Sequence, residues 1–318
     1  MGPVIATVKK VLTLCCGVAA AVCLSAAGQD ERRATQPYVG ITYADRMEVS
    51  PRPIHMHVAQ IDLTAPGVRF KLSPPGGSRE VVRQTTLEYL RAEGAQLAIN
   101  AHFFLPFPSP DTDAWVIGLG ASEGRIYSAF EAPEQNFALV TDAPALNLDP
   151  ENHAAIVHRD PADAGGRRVV EPVVLWNVVA GSAQIVTNGA ATVPVYQDLA
   201  HVDGLLKPGG PNNYSNEKSW YDVATARTAI GLSRDRRTLT LFTADVRGGS
   251  EGMRLGEVAA VLIKDYAVWD ALNLDGGGST SMALEDPQTH VAAIVNASSD
   301  NPAGRSVASS LAVFAGRR

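Results

Sequence analysis

The segment RTAIGLSRDRRTLTLFTA, from Arg227 to Ala244, contains two apolar runs separated by a polar turn at Ser233–Asp235. Each run alternates small, β-branched and large apolar residues over six positions, a pattern typical of paired strands. Residues 227–232 and 239–244 are therefore predicted to form an antiparallel hairpin. From this hairpin we first expect a fold whose sheet is built from strands that are neighbours in the chain.

The pattern changes period after the hairpin. Leu255, Val258, Ala259 and Leu262 recur at helical spacing and predict an amphipathic helix of about ten to fourteen residues. A short apolar run over 271–274 then predicts a buried strand. The last third of the chain thus reads as hairpin, helix and strand.

Two further patterns precede the hairpin. Residues 54–63 alternate with period two, Pro66-Gly67 turns the chain and residues 68–72 alternate again, which predicts a second hairpin. Thr85 as N-cap and Glu88 three residues later form a capping box that opens a helix. That helix is expected to end at Gly94, followed by a buried strand at 96–99.

The middle of the chain is rich in Pro, Gly, Asn and Asp. Short apolar runs at 137–140, 173–176 and 185–186 predict strands joined by long loops, and residues 140–220 are expected to vary most. With hairpins dominant and helices few and late, the prediction is an α+β fold of mixed, largely antiparallel sheets with a few packed helices. Residues 28–318 are expected to form a single compact catalytic domain.

The N-terminus has the features of a secretory signal peptide. Lys9 and Lys10 precede an apolar run over 11–24, and small residues follow up to Ala27, after which cleavage is expected. The alternative is an uncleaved N-terminal anchor. All three cysteines lie in this leader, so the mature chain would contain no disulfide. The predicted localisation is secreted or periplasmic, with no membrane span after cleavage.

Charge limits the class of partner. The chain has a net charge of −6, which becomes −8 without Lys9 and Lys10. Nucleic-acid binding requires a basic face, so a nucleic-acid partner is not expected. The oligomeric state is left open by the sequence.

The segment Asn273 to Thr280 is the strongest functional signal. A predicted strand delivers Asp275 into Gly276, Gly277 and Gly278, followed by Ser279 and Thr280. Glycine allows close approach of a ligand to the main chain, and successive N–H groups can bind an anion. A flexible Gly-Ser turn without a ligand is the alternative interpretation.

The surrounding blocks strengthen the functional interpretation. Four blocks occur in order along residues 98–314, namely AINAHFF (98–104), RTAIG (227–231) with Asp245 and Arg247, GMRL (252–255) with DALNLDGGGSTSM (270–282), and VNASSD (295–300) with Arg305 and Val307. Together they resemble the phosphodiester glycosidase family, which includes the enzyme that uncovers mannose 6-phosphate on lysosomal proteins. Ala101 and His102 stand where that family has two small residues.

The resemblance implies a hydrolase that cleaves a sugar-1-phosphodiester, and it implies roles for particular residues. Asp275 is the expected central carboxylate and Asp245 the second, because glycoside cleavage uses paired carboxylates. Arg227 and Arg305 are expected to bind the phosphate, since a planar guanidinium matches two phosphate oxygens. The remaining expected substrate-binding or phosphate-binding residues are Asn100, His102, Gly276, Gly277, Gly278, Ser279, Thr280 and Asn296. The expected substrate is a small-molecule or glycan phosphodiester, such as one of N-acetylglucosamine.

Several alternatives stay open. A phosphodiesterase would break the P–O bond, with Ser279 or Thr280 as nucleophile, and a non-catalytic glycan-binding or exopolysaccharide-assembly protein would bind without turnover. An oxygen-rich site with Asp245 and Asp275 could hold Ca²⁺. His55 and His57 share a strand face but show no third ligand in the sequence. Trp176, Trp220 and Tyr221 could stack on sugar rings.

Overall fold

The computed structural model describes residues 1–2, 31–130, 137–299 and 301–317. The predicted signal peptide lies almost entirely outside the described residues, as does Asp300 of the last sequence block. Within the described part of the chain, no helix is both long enough and apolar enough to cross a membrane.

The described residues form strands and two α-helices in the following order. The strands are β1 (Glu31–Tyr38), β2 (Ile41–Glu48), β3 (Ile54–Asp62), β4 (Arg69–Leu72), β5 (Val81–Val82), β6 (Leu97–Asn100), β7 (Phe104–Leu105), β8 (Asp113–Val116), β9 (Gly120–Ser122), β10 (Arg125–Ser128), β11 (Ala145–Leu148), β12 (Ala154–Val157), β13 (Asn177–Ala180), β14 (Ala183–Thr187), β15 (Ala190–Ala191), β16 (Arg227–Ser233), β17 (Thr238–Ala244), β18 (Val268–Asn273), β19 (Met282–Glu285), β20 (Ala292–Ile294) and β21 (Ser310–Phe314). The helices are α1 (Thr86–Glu93) and α2 (Leu255–Tyr266), with short 3-10 turns at Trp220–Asp222 and Gly277–Ser279.

The largest sheet has eight strands in the order β1-β2-β3-β17-β16-β18-β14-β15. The predicted 227–244 hairpin is confirmed as β16–β17, with Arg227 opposite Ala244 and Leu232 opposite Leu239. All pairs in this sheet are antiparallel. Strand β18, which delivers Asp275, lies in the middle of the sheet next to β16.

The predicted hairpin at 54–72 is wrong, although both of its strands exist. Strand β3 pairs with β2 and β17 in the large sheet, whereas β4 pairs with β21 in a second sheet of order β20-β19-β6-β21-β4. Alternation identifies a strand but not its partner. The chain crosses from one sheet to the other at the Pro66-Gly67 turn, and the two sheets enclose a core.

The layers follow from side-chain alternation. On β3, Ala59 and Ile61 face a core shared with Leu97, Ile99 and other residues of the second sheet. The opposite face of β3 carries Met56 and Val58, which pack with apolar residues of α2. Helix α1 covers the outer face of the second sheet. Each α-helix therefore buries one sheet face against the outside of a two-sheet core.

Both predicted helices are confirmed. Thr85 caps α1, its hydroxyl accepting from the Glu88 N–H while the Glu88 carboxylate accepts from the Thr85 N–H, and Gly94 ends the helix in a left-handed conformation. Helix α2 spans twelve residues. Gly256 lies in its first turn, where an added β-carbon would meet no neighbouring residue within 4 Å.

The middle of the chain differs from the prediction. Residues 137–140 and 173–176 are not strands, while the neighbouring segment Asn177–Ala180 is, and the predicted strand at 185–186 lies inside β14. A third sheet, β10-β9-β13-β11-β12, fills much of this region. The predicted largely antiparallel sheets are confirmed, and the described chain is richer in strands than the predicted α+β class.

Candidate functional site

A cavity of about 520 Å³ opens where β18 ends. Asp275 lines this cavity. The residue before it, Leu274, donates its N–H to the carbonyl of Thr228. The Asp275 N–H donates to the carbonyl of Ala101, so the residue following the strand is held to the second sheet. The carboxylate is thus placed at the junction of the two sheets.

Each of the three positions after Asp275 favours glycine for a different structural reason. A β-carbon at Gly276 would lie 2.9 Å from the Ala226 carbonyl oxygen, and Gly277 has a φ of 58°, in the left-handed region. A β-carbon at Gly278 would overlap the guanidinium of Arg305. The glycines therefore allow both the turn and the approach of a cation to the main chain.

The successive backbone N–H groups that were expected to bind an anion are only partly free. Gly277 donates to Ala226, Ser279 to Gly276 and Thr280 to Gly277, so these three N–H groups are already bonded within the protein. The tight 3-10 turn at Gly277–Ser279 consumes donors that a more open loop would leave for an anion. Arg305 is the cationic side chain among the described residues that line this cavity.

Ser279 connects the carboxylate and the cation. Nη1 of Arg305 donates to Oγ of Ser279 at 3.3 Å, and Ser279 is hydrogen-bonded to Asp275. Burial raises the pKa of Asp275 to about 7, and the opposing effects of Ser279, Arg305 and the Gly276 N–H are smaller. Asp275 therefore exchanges a proton near neutral pH, which suits an acid or base.

Apolar and aromatic side chains form much of the cavity wall. The wall residues are Phe103, Phe104, Phe107, Pro108, Ile117, Phe137, Leu139, Tyr214 and Trp220. Arg305 lies over the Phe107 ring at 5.0 Å, and Phe103 meets Trp220 edge to face. Of the three aromatic residues proposed from sequence, Trp220 alone lines this cavity. The adjacent residues Phe103 and Phe104, in the same sequence block as Asn100, could have indicated this aromatic wall from sequence.

Asn100 and His102 lie behind the site and are fully buried. Asn100 donates from Nδ2 to the Asp275 carbonyl at 2.6 Å, and its Oδ1 accepts from Thr228 and Ser281. His102 bonds Ser309 through Nδ1 and accepts from the Ala180 N–H through Nε2, and burial lowers its pKa to about 4. Asn100 thus holds the backbone of the site at Asp275 and Ser281, whereas His102 bonds residues outside it, and neither side chain lines the cavity.

Arg227 is also placed differently from its predicted role. It is fully buried and donates to the carbonyls of Met253 and Trp220 at 2.9 and 3.0 Å, with a further bond to Val223. Its guanidinium lies over the Trp220 ring at 4.6 Å, and burial lowers its pKa to about 10. Arg227 therefore supports the cavity wall from behind through Trp220.

Asp245 is outside the cavity that holds Asp275. It is completely buried, and its Oδ1 accepts from Nδ2 of Asn296 at 3.1 Å. The same Asn296 amide donates to the Thr280 carbonyl, and Asn296 and Thr280 line a separate cavity of about 320 Å³. Of the predicted residues, Asp275, Gly276, Gly277, Gly278, Ser279 and Arg305 come together around one cavity. Thr280, Asn296 and Asp245 form a neighbouring group.

The chain is similar in sequence to known proteins. Residues 93–314 match the model of the family described as phosphodiester glycosidase. Human N-acetylglucosamine-1-phosphodiester alpha-N-acetylglucosaminidase is 27% identical over 218 residues, covering 66% of this chain and 36% of the human protein. The mouse enzyme is 32% identical over 117 residues, covering 36% of this chain and 21% of its own. The chain thus matches about a third of the human relative's length.

Solved structures share the fold. The zebrafish N-acetylglucosamine-1-phosphodiester alpha-N-acetylglucosaminidase catalytic domain, auto-inhibited by its pro-peptide, has a TM-score of 0.56 at 19% identity, covering 90% of this chain and 88% of that one. A hypothetical protein from Synechocystis has a TM-score of 0.58 at 16% identity, covering 87% and 62%. A Burkholderia pseudomallei protein described as exported has a TM-score of 0.51 at 18% identity, covering 82% and 74%.

Proposed function

Because the chain belongs to the phosphodiester glycosidase family, we propose that it is an exported hydrolase of sugar-1-phosphodiesters. It cleaves the glycosidic C–O bond and releases a free sugar and a phosphomonoester. The observation that carries this proposal is the cavity that Asp275, Ser279 and Arg305 share with an aromatic wall. N-acetylglucosamine is the proposed sugar, since the curated relatives carry it in their names.

Arg305 is the proposed phosphate-binding residue. Its guanidinium lies at the cavity, stacked on Phe107 and bonded to Ser279, with donors available for a second acceptor. A phosphodiester carries one negative charge in a form that a planar guanidinium binds through two hydrogen bonds. Binding there also offsets the charge that develops on the departing phosphate.

Asp275 is the proposed catalytic carboxylate. Breaking the C–O bond gives the anomeric carbon oxocarbenium character, which a nearby carboxylate stabilises or attacks. A phosphomonoester is a good leaving group, so a second carboxylate acting as an acid is less necessary than in ordinary glycosides. With Asp245 outside the cavity, Asp275 acts in its deprotonated form, either on water or on the anomeric carbon.

The aromatic wall is the proposed sugar-binding surface. Sugars present apolar C–H faces that pack against aromatic rings. Trp220 and Phe103 are in edge-to-face contact and both line the cavity. The sugar would then lie between Trp220 and Asp275, with its phosphate toward Arg305. This orientation places the bond to be broken next to the carboxylate.

One observation favours the alternative reaction at phosphorus. The Ser279 hydroxyl lies between Asp275 and Arg305, an arrangement in which a base could activate a nucleophile and a cation could hold the phosphate. Thr280 is a weaker candidate because it lines the neighbouring cavity and not this one. Attack by Ser279 would break a P–O bond and give a different product.

Product analysis separates the two reactions. The chain is incubated with N-acetylglucosamine-1-phospho-methylmannoside and with UDP-N-acetylglucosamine in ¹⁸O-labelled water, and products are followed by phosphorus NMR and mass spectrometry. The proposal expects a phosphomonoester with unlabelled phosphate, and label in the free sugar. Label in the phosphate, or a sugar phosphate as product, would instead establish P–O cleavage. Asp275→Asn serves as the inactive control.

Two further outcomes complete this test. Saturable binding of both compounds without turnover would contradict an enzyme and support a binding protein. Export is tested separately by expressing residues 1–318 and determining the N-terminus of the recovered protein, which is expected at residue 28. Recovery of the intact leader in the membrane fraction would instead identify an uncleaved anchor.

A further inference from the structure

Four side chains outside the cavity converge at one end of the large sheet. Alternation places His55 and His57 on the same face of β3, and the register sets Asp45 of β2 directly opposite His57. The Asp245 N–H donates to the His55 carbonyl, so Asp245 lies beside the same strand from the other side. We refer to Asp45, His55, His57 and Asp245 as the histidine cluster.

The distances from Asp245 to the two histidines do not fit ordinary hydrogen bonds. Nε2 of His57 lies 3.4 Å and Nδ1 of His55 lies 3.6 Å from the same oxygen, Oδ2 of Asp245. Hydrogen bonds between such groups are about 2.7–3.2 Å long. Among the described residues, His57 Nε2 and Asp245 Oδ2 are buried without a hydrogen-bond partner. An unsatisfied buried polar group costs about 1–3 kcal/mol.

The same distances fit a tetrahedral metal site. With metal bonds of about 2.0–2.2 Å to nitrogen and oxygen, neighbouring ligands of a tetrahedron lie about 3.3–3.6 Å apart. The two nitrogen–oxygen distances, 3.4 and 3.6 Å, are close to that edge length. The Asp245 oxygen thus lies from each imidazole nitrogen at the distance that separates two ligands of one ion.

The outer partners of the three side chains complete the pattern. Nδ1 of His57 lies 2.7 Å from the Tyr43 hydroxyl, and Nε2 of His55 lies 2.6 Å from Oδ1 of Asp45. When these outer nitrogens carry the proton, His57 Nε2 and His55 Nδ1 each keep a lone pair toward Asp245. Metal-binding histidines are typically oriented by such outer hydrogen bonds. Oδ1 of Asp245 is held in the same way by Asn296.

We propose that His55, His57 and Asp245 bind a divalent transition-metal ion of the zinc class. Two imidazoles and a carboxylate suit Zn²⁺, whereas Ca²⁺ prefers oxygen ligands alone. Access is open from the side of Asp45, whose side chain is 45% exposed, and of His55, which is 24% exposed. The ion would join β3 to the end of β17 and, through Asn296, to the loop after Asp275.

The test uses the whole chain, stripped of metal with a chelator and titrated with Zn²⁺ against a coloured competitor. One equivalent is expected to bind, with an affinity that falls by about a hundredfold or more in His55→Ala and His57→Ala. The matched control is His153→Ala, in a second group of Asp149, Glu151 and His153, where His153 bonds the Asp149 carboxylate. Unchanged binding in His57→Ala, or loss in His153→Ala, would overturn the proposal.

A second measurement does not depend on whether the variants fold. Co²⁺ added to the stripped wild-type chain is expected to give the intense visible absorption of a tetrahedral site, and one equivalent of Zn²⁺ should remove it. A weak octahedral spectrum, or displacement by Ca²⁺ at equal concentration, would overturn the assignment. Zn²⁺ is also expected to raise the Tm measured by thermal unfolding, because an ion that binds only the folded state raises its stability.

Discussion

The guanidinium of Arg305 donates a hydrogen bond to the hydroxyl of Ser279 at 3.3 Å, over a backbone in which Gly278 leaves no room for a side chain. The position of the cation therefore depends on a glycine 27 residues away in the chain. Ser279 in turn bonds the Asp275 carboxyl, so cation and carboxylate are positioned by the same turn. Changes to this turn should affect substrate binding before they affect the fold.

Gly278→Ala is expected to displace Arg305, since the added β-carbon would meet its guanidinium. We expect kcat/KM on the phosphodiester to fall by about tenfold or more, equivalent to about 1.4 kcal/mol of transition-state binding. Gly256→Ala in α2 is the matched control, because its β-carbon would meet no atom within 4 Å. Equal kinetics in the two variants would contradict the role of Gly278.

Arg305→Lys tests the geometry of phosphate binding rather than charge alone. Lysine keeps the positive charge but loses two-point binding and stacking on Phe107. KM is expected to rise by about tenfold, with a smaller fall in kcat. Arg125→Lys, on the exposed side of β10, is the control. A KM unchanged in Arg305→Lys would remove Arg305 from the phosphate site.

The pKa of Asp275 predicts the pH dependence of turnover. If the deprotonated carboxylate acts, kcat/KM rises with pH through the folded-state pKa of about 7 and then levels off. The measurement is a pH profile on a substrate whose phosphodiester does not titrate in that range. A profile that falls through the same pH would show that the protonated form of Asp275 is the active one.

The same group predicts a pH-dependent stability. The unfolded carboxyl loses its proton near its ordinary pKa of 3.8, whereas the folded one keeps it up to about 7. The folded state therefore holds more protons between these values, and its free energy of unfolding falls as pH rises through this window. Asp275→Asn removes the effect, so its Tm should exceed that of wild type at pH 8 by a few degrees. The difference should vanish near pH 4, and a constant difference would contradict this reasoning.

Arg227→Met separates a structural role from phosphate binding. Removing the buried guanidinium breaks its hydrogen bonds to the carbonyls of Met253, Trp220 and Val223. Stability is expected to fall by about 3 kcal/mol or more, measured by denaturant unfolding. Arg125→Met is the exposed control. A variant of normal stability with a raised KM would instead support the predicted phosphate contact.

Local patterns were sufficient for many individual elements. The capping box of Thr85 and Glu88 predicted the start of α1, and the alternation at 227–244 predicted β16 and β17 with their pairing. These features depend on residues close together in the chain. The predicted hairpin at 54–72 was wrong because the period of a strand does not indicate which strand it pairs with. Strand β4 pairs with β21, more than 200 residues away in the chain.

Long-range packing decided which of the predicted residues share a site. Asp275, its three glycines and Ser279 are contiguous, so the sequence alone determined that they lie together, and strand period alone put His55 and His57 on one face. Only the tertiary structure brought Arg305 to Gly278, buried Arg227 behind Trp220, and placed Asp245 beside the two histidines instead of beside Asp275. The reason is physical: local sequence sets backbone period and turns, whereas strand register and sheet packing decide which distant side chains meet.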